Sequence, residues 1–169
     1  PGPSQMTTIL LAGGGTGGRN GQVHDVTADR WAVGNVPEGA ALWVPSGGVW
    51  SLSVIGSTGS DAWAINTAKT LVVGSARFGS STALVAAYWS CDPASAVCTA
   101  PIELPGSCSV AYDVDDLGRI VVSGCLVSGI RLTAAIIAPP YALGNLKALP
   151  GFGSRTDGPQ AESISSDGK

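Results

Sequence analysis

Three groups of residues in this chain have the types and spacing for chemistry. The first is Leu10-Leu-Ala-Gly-Gly-Gly-Thr-Gly-Gly18, where Gly13, Gly15 and Gly18 form a G-x-G-x-x-G string after an apolar run. Such a string cradles a phosphate when it opens a helix, whose N-terminus supplies unpaired N–H donors. Here Arg19-Asn-Gly-Gln-Val-His-Asp-Val26 follows and reads as turn and strand, so the glycines read as a flexible link and no cofactor is expected. The second group is Asp113, Asp115 and Asp116 with Gly118, an oxygen-rich run faintly like a calcium loop. It lacks the distal bidentate Glu that closes such loops. A hairpin turn explains the same residues, and the matching places in other copies hold Ala64/Asn66 and Ser163/Ser165, so these three are a weak metal candidate. The third is His24, the single histidine, beside Asp25. No nucleophile-elbow pattern accompanies it. Matched to Ala64 in the next copy, it reads as an ordinary strand residue. Glu38, Glu103 and Glu162 are the glutamates, and nothing marks any of them as an acid or base; no catalytic residue is assigned.

The four cysteines carry a more definite expectation. Cys91 and Cys98 bracket Asp92-Pro-Ala-Ser-Ala-Val97 between two strands. Cys108 and Cys125 lie symmetrically about Asp116–Leu117, seven steps out from Asp115 and Gly118. In an even-numbered hairpin loop they face each other, and a non-hydrogen-bonded antiparallel pair brings Cα atoms to about 4.5 Å, within disulfide reach. The pairing Cys91–Cys98 and Cys108–Cys125 follows, in an oxidising compartment. The alternative is four buried thiols in a reducing one. No paired C-x-x-C or His partner suggests zinc.

Composition narrows the class. Of 169 residues 44% are apolar and only 12% charged, so a sizeable core is within reach and disorder is not expected. Nine basic and twelve acidic residues, unclustered, leave no nucleic-acid footprint. No apolar run approaches about 18 residues; Leu132–Leu143 is interrupted by Pro139-Pro140, so no membrane span is expected. A surface of Ser, Thr and Gly leans toward an extracellular or cell-surface protein. The chain opens at Pro1 without a signal-peptide pattern, and Pro1–Gln5 read as leftover sequence ahead of Met6, as the start of a mature product, or as part of a longer protein.

The elements that must position these residues form a repeat. Ala62-Trp-Ala-Ile-Asn-Thr-Ala-Lys-Thr-Leu-Val-Val-Gly74 returns forty-nine residues later as Ala111-Tyr-Asp-Val-Asp-Asp-Leu-Gly-Arg-Ile-Val-Val-Ser123. A shorter copy is His24-Asp-Val-Thr-Ala-Asp-Arg-Trp-Ala-Val-Gly34, and a last one, Ala161-Glu-Ser-Ile-Ser-Ser-Asp-Gly-Lys169, stops before its second apolar run. Period-two patterning and Asp/Asn/Gly turns read as hairpins. A third strand follows each: Ala40–Val44, Val85–Trp89 and Thr133–Ile137. Short fourth elements follow at Val49–Leu52, Ile102–Leu104 and Leu146–Leu149. This is the arithmetic of a propeller-like array of short antiparallel blades, all-β with very little helix. The units run roughly 22–60, 61–109 and 110–160, with a fourth beginning at 161–169 and residues 1–21 as an N-terminal strand and Gly-rich tether.

The ordered motif Ala-Ala-aromatic-Trp, a Leu-containing element, Pro-Gly-Ser, Ala-x-x-Ile/Val-Asn/Asp, a turn and Val-Val-Gly resembles the extracellular HAF repeat. The stretch Leu104-Pro-Gly-Ser-Cys-Ser-Val-Ala-Tyr-Asp-Val-Asp-Asp-Leu-Gly-Arg-Ile-Val-Val122 carries it best. The His-Ala-Phe tripeptide itself is replaced by Ala-Ala-Leu-Trp43 or Ala-Ala-Tyr-Trp89, and Ile137 stands where the other copies have Trp. The resemblance spans roughly 22–169; it implies a propeller-like β fold and an extracellular location, and it transfers no catalytic residue.

The tryptophans read first as packing between units, with Trp43 and Trp89 as candidate platforms for a stacked ligand. The unfinished fourth unit leaves a strand edge that must be paired or covered. The run of Thr7, Thr8, Ile9, Leu10, Leu11 and Ala12 has the character of the missing strand, comparable to Lys69-Thr-Leu-Val-Val-Gly-Ser75. Pairing this assembly strand with the last unit closes the array within one chain or joins copies head to tail. The expected role is an extracellular structural or adhesive repeat protein whose partner is itself. A lectin-like module for a glycan or protein is the alternative, and a secreted carbohydrate-active enzyme the third.

Overall fold

A computed structural model describes residues 21–132, 134–149 and 161–165. Within them the chain is almost entirely antiparallel β, with no α-helix and one short 3-10 turn at Leu143–Asn145. The all-β expectation holds. Two expectations fall outside the described residues. One is the Gly13–Gly18 link; the other is the assembly strand of Thr7, Thr8, Ile9, Leu10, Leu11 and Ala12.

The first sheet is a four-stranded meander of β1 (Gln22–Val26), β2 (Ala32–Val36), β3 (Gly39–Ser46) and β4 (Val49–Val54). The second runs β5 (Asp61–Ile65), β6 (Leu71–Ala76) and β7 (Val85–Asp92). The tip of β7 pairs with β8 (Val97–Cys98) and its body with β9 (Ile102–Glu103). The third begins with β10 (Val110–Val114) and β11 (Ile120–Ser123). It then inserts a separate hairpin of β12 (Cys125–Val127) and β13 (Ile130–Leu132), and resumes with β14 (Ala135–Ile137) and β15 (Leu146–Ala148). The inserted hairpin and the small β8 strand are features the repeat pattern does not announce.

Register repeats from sheet to sheet. Ala32 faces Trp43, Val72 faces Trp89 and Ile120 faces Ile137, so the three third strands align as their sequences do. One polar residue organises each first turn. Thr27 Oγ1 accepts the Trp31 N–H at 3.0 Å. Asn66 Oδ1 accepts the N–H groups of Thr70 and Leu71 at 3.0 and 2.9 Å. Asp115 Oδ1 accepts those of Leu117 and Arg119 at 2.9 and 2.8 Å. Asx-type side chains mimic a backbone turn in this way. The turn at 66–71 is one residue longer than those at 27–31 and 115–119.

Successive units bury apolar faces against each other. Trp31, Val33 and Leu42 of the first sheet meet Ile65, Val72 and Trp89 of the second. Leu71, Val73 and Leu104 of the second meet Val114, Ile120 and Ile137 of the third. β5 lies against β1 and β2, and β10 against β5 and β6, so the first strands of successive units are neighbours. Trp43 and Trp89 are 2% and 0% exposed, and the Trp89 indole N–H is donated to the Ile55 carbonyl at 2.7 Å. They are core residues, and the expectation of ligand stacking on them is corrected: neither ring reaches solvent.

Both disulfides form as expected, Cys91–Cys98 and Cys108–Cys125. The second arises for a reason the turn alone does not give. The turn at 115–119 has an odd number of residues, which by itself would set the cysteines out of register. A bulge at Tyr112 restores it, because Ala111 pairs with Val122 while Asp113 pairs with Val121.

Candidate functional site

That bulge recurs. In β1 the register shifts between Val23 and Asp25, in β5 between Ala62 and Ala64, and in β10 between Ala111 and Asp113. The extra residues are His24, Trp63 and Tyr112, one per unit at the same place. A bulge leaves its residue out of the ladder and re-aims the side chain. The opposing strand must come close: a Cβ on Gly34 would sit 1.9 Å from the Gln22 carbonyl oxygen, and one on Gly74 2.0 Å from that of Asp61. Gly at these two positions is therefore a packing requirement of the first two sheets, whereas the third bulge has Val122 at the equivalent place.

Because the first strands are adjacent, the three bulged side chains meet. His24 stacks on Trp63 with centroids 4.2 Å apart and planes 19° from parallel. Trp63 meets Tyr112 edge to face at 5.6 Å. Together with Asp25, Ala64, Asp113 and Glu162 they line a cleft of about 460 Å³, within the range of small-ligand sites. Glu162 follows Ala161 as Tyr112 follows Ala111, so the three bulge residues and their sequence equivalent in the 161–165 segment line one cleft. A second cleft, of about 500 Å³, shares Trp63 and includes Asp61, Asn35, Ser75 and Leu84. Trp63 is thus the wall between two recesses.

His24 matches Trp63 and not Ala64, which corrects the sequence alignment. The second strands are offset by 40 residues (Gly34 to Gly74), but the first strands by 39 (His24 to Trp63), because the extra residue lies in the 66–71 turn. Its Nε2 lies 3.1 Å from Asp61 Oδ1 across the unit boundary. The contact is not aligned as a hydrogen bond, and both atoms are buried without another partner. Buried polar atoms of this kind call for an explanation.

The carboxylates beside the bulges have positioning roles. Asp25 Oδ1 accepts the Val26 N–H at 2.7 Å and its Oδ2 accepts Ile65 N–H at 3.0 Å in the next unit. Asp113 repeats this: Oδ1 accepts Val114 N–H at 2.8 Å, and Oδ2 accepts Ile164 N–H at 2.8 Å and the Ser163 hydroxyl at 3.0 Å. Ala64 breaks the series. The join between the second and third units instead uses Asp116, whose Oδ1 accepts Thr67 N–H at 2.9 Å. Asp115, 1% exposed, pairs with the Arg119 Nε–H at 2.6 Å besides holding its turn.

Asp113, Asp115 and Asp116 therefore face three different sets of donors. Among the described residues no three His, Cys, Asp or Glu side chains converge as metal ligands, and the weak calcium candidate is corrected on that geometry. Near the same turn, Tyr141 packs on Tyr88 at 4.8 Å and donates its hydroxyl to the Gly118 carbonyl at 2.9 Å. Burial, followed by Tyr88 and Asp115, pushes its phenol up to about 12.

Sequence reasoning missed the cleft because its residues are chemically unlike. His, Trp, Tyr and Glu at 24, 63, 112 and 162 share no motif; the signal was their common place just ahead of an Asp/Ala/Ser-Val/Ile pair. No family model, curated protein or solved structure matches this chain.

Proposed function

We propose that this chain is an extracellular, propeller-like β-repeat module that binds a glycan in the cleft of its first strands. The observation that carries the reading is the convergence of His24, Trp63, Tyr112 and Glu162 from four successive units. Aromatic walls take the apolar face of a sugar, and flanking carboxylates and imidazole take its hydroxyls. Two disulfides and a low-charge surface support an oxidising, extracellular setting. In this reading the repeat is of the HAF type. The test is a glycan array probed with the wild-type chain and with Trp63→Ala. Binding to a defined glycan class, lost in a variant that keeps both disulfides and a cooperative melt, supports the reading. No binding to any glycan, or binding unchanged in Trp63→Ala, overturns it.

A second reading, structural closure or self-association, is favoured by Trp43. Its equivalent Trp89 is buried against the preceding unit, whereas Trp43 points away from the second sheet, grouped with Ala32, Ala41, Trp50 and Leu52 of its own sheet. It is nonetheless 2% exposed. The Asp113–Ile164 contact also repeats the Asp25–Ile65 contact, as if residues 161–165 began a further unit. We propose that the strand Thr7–Ala12 pairs with that unit, within the chain or between copies. Deleting Thr7–Ala12 should expose Trp43, seen as a red-shifted emission and a lower Tm; unchanged emission, melting and particle mass would sink the idea.

A further inference from the structure

The cleft has a sign as well as a shape. Among the described residues its lining holds the carboxylates of Asp25, Asp113 and Glu162 and neither Lys nor Arg. Two basic side chains of the same units are engaged elsewhere, Lys69 with Asp29 and Arg119 with Asp115. Asp25 and Asp113 already accept a backbone N–H on each oxygen, so they contribute charge and offer a ligand fewer open acceptor positions than a free carboxylate.

Glu162 is different. It is exposed, lines the cleft, and makes no hydrogen bond or ion pair among the described residues. It occupies the place that His24, Trp63 and Tyr112 hold in the other units, so the aromatic series ends in a carboxylate. The Asp113 bonds to Ser163 and Ile164 fix the backbone on which it stands.

Each ligand class meets this arrangement differently. An acidic sugar is repelled by three carboxylates. A neutral sugar can donate hydroxyls to Glu162 but brings no charge to balance the three carboxylates. A cation satisfies both features, because ring quadrupoles attract it within about 6 Å and a carboxylate gives it a charge-assisted hydrogen bond. We infer, on the basis of the glycan reading above, that the group recognised is a protonated amino sugar. Its ring lies along Trp63 and Tyr112, and its ammonium meets Glu162.

The test is calorimetric titration with an oligomer of β-1,4-linked glucosamine, run below the pKa of the amine. The N-acetylated oligomer of equal length, a glucuronate-containing oligomer and a lysine-rich peptide are the comparison arms. The glucosamine oligomer should bind at least about tenfold more tightly than its N-acetylated counterpart, the worth of one charge-assisted contact. Glu162→Gln should narrow that difference to about twofold or less, and added salt should do the same. Equal binding of the two oligomers by the wild type overturns the cation inference and leaves the glycan reading standing. A lysine-rich peptide that binds as tightly, with the same dependence on Glu162, overturns the sugar as the source of the amine. Failure of every saccharide arm overturns the glycan reading itself.

Discussion

The imidazole of His24 lies on the indole of Trp63, 4.2 Å between centroids, and the two residues hold the same bulge position in consecutive units. A single irregularity in the ladder, repeated, therefore builds a contact between units and a wall of the cleft. Had the first strands been regular, these positions would be ladder residues with their side chains standing on one sheet face.

Trp63 separates two recesses, so Trp63→Ala should merge them. The side chain is half-buried, and the expected loss of stability is about 1–3 kcal/mol, below that of a fully buried Trp. Denaturant unfolding measures this, and retention of a cooperative transition distinguishes a damaged cleft from a collapsed fold.

Asp25 and Asp113 each hold a backbone amide of the next unit. Asp25→Ala should speed hydrogen exchange at Ile65 and leave Ile164 unchanged, whereas Asp113→Ala should do the reverse. Residue-resolved exchange checks both arms. Each substitution should cost about 1–3 kcal/mol, because a part-buried donor loses its acceptor.

The disulfides close loops of different length, with separations of 7 and 17 residues. On the chain-entropy account, removing Cys91–Cys98 as a Cys→Ala pair should cost about 2 kcal/mol and removing Cys108–Cys125 about 3 kcal/mol. Cys108 and Cys125 are also fully buried in the core between the second and third units. Their loss should raise exchange across β10 and β11, and that of Cys91–Cys98 should stay local to the tip of β7.

Tyr141 supplies a pH dependence. Its phenol is raised from 10.0 to about 12 by burial in the folded protein. The folded state therefore holds this proton more tightly than the unfolded one. The contribution is complete below about pH 10 and is lost as pH rises toward about 12. A phenolate titration should show one step near pH 12 that is missing in Tyr141→Phe. That variant should also lose about 1 kcal/mol with the hydrogen bond to the Gly118 carbonyl.

The fold was legible in the sequence where packing dictates residue type. The alignment of Trp43, Trp89 and Ile137 follows from apolar runs that must face a neighbour, and it recurs in the ladder. The disulfide partners were legible too, although through a turn of the wrong parity offset by a bulge at Tyr112. The cleft was not. A bulge is a property of two paired strands, and the extra residue in the 66–71 turn drew His24 onto Ala64 when the second strands were aligned. Glu162 carried no local mark, since its meaning comes from Trp63 and Tyr112 in other units.

The central claim is that bulge positions of successive units form the binding site, and amide chemical-shift mapping with the glucosamine oligomer tests it most directly. Shifts confined to His24, Asp25, Trp63, Ala64, Tyr112, Asp113 and the 161–165 segment are the predicted result. Shifts centred instead on the exposed outer residues Val49, Val97 or Ile130, with these amides unmoved, would contradict it.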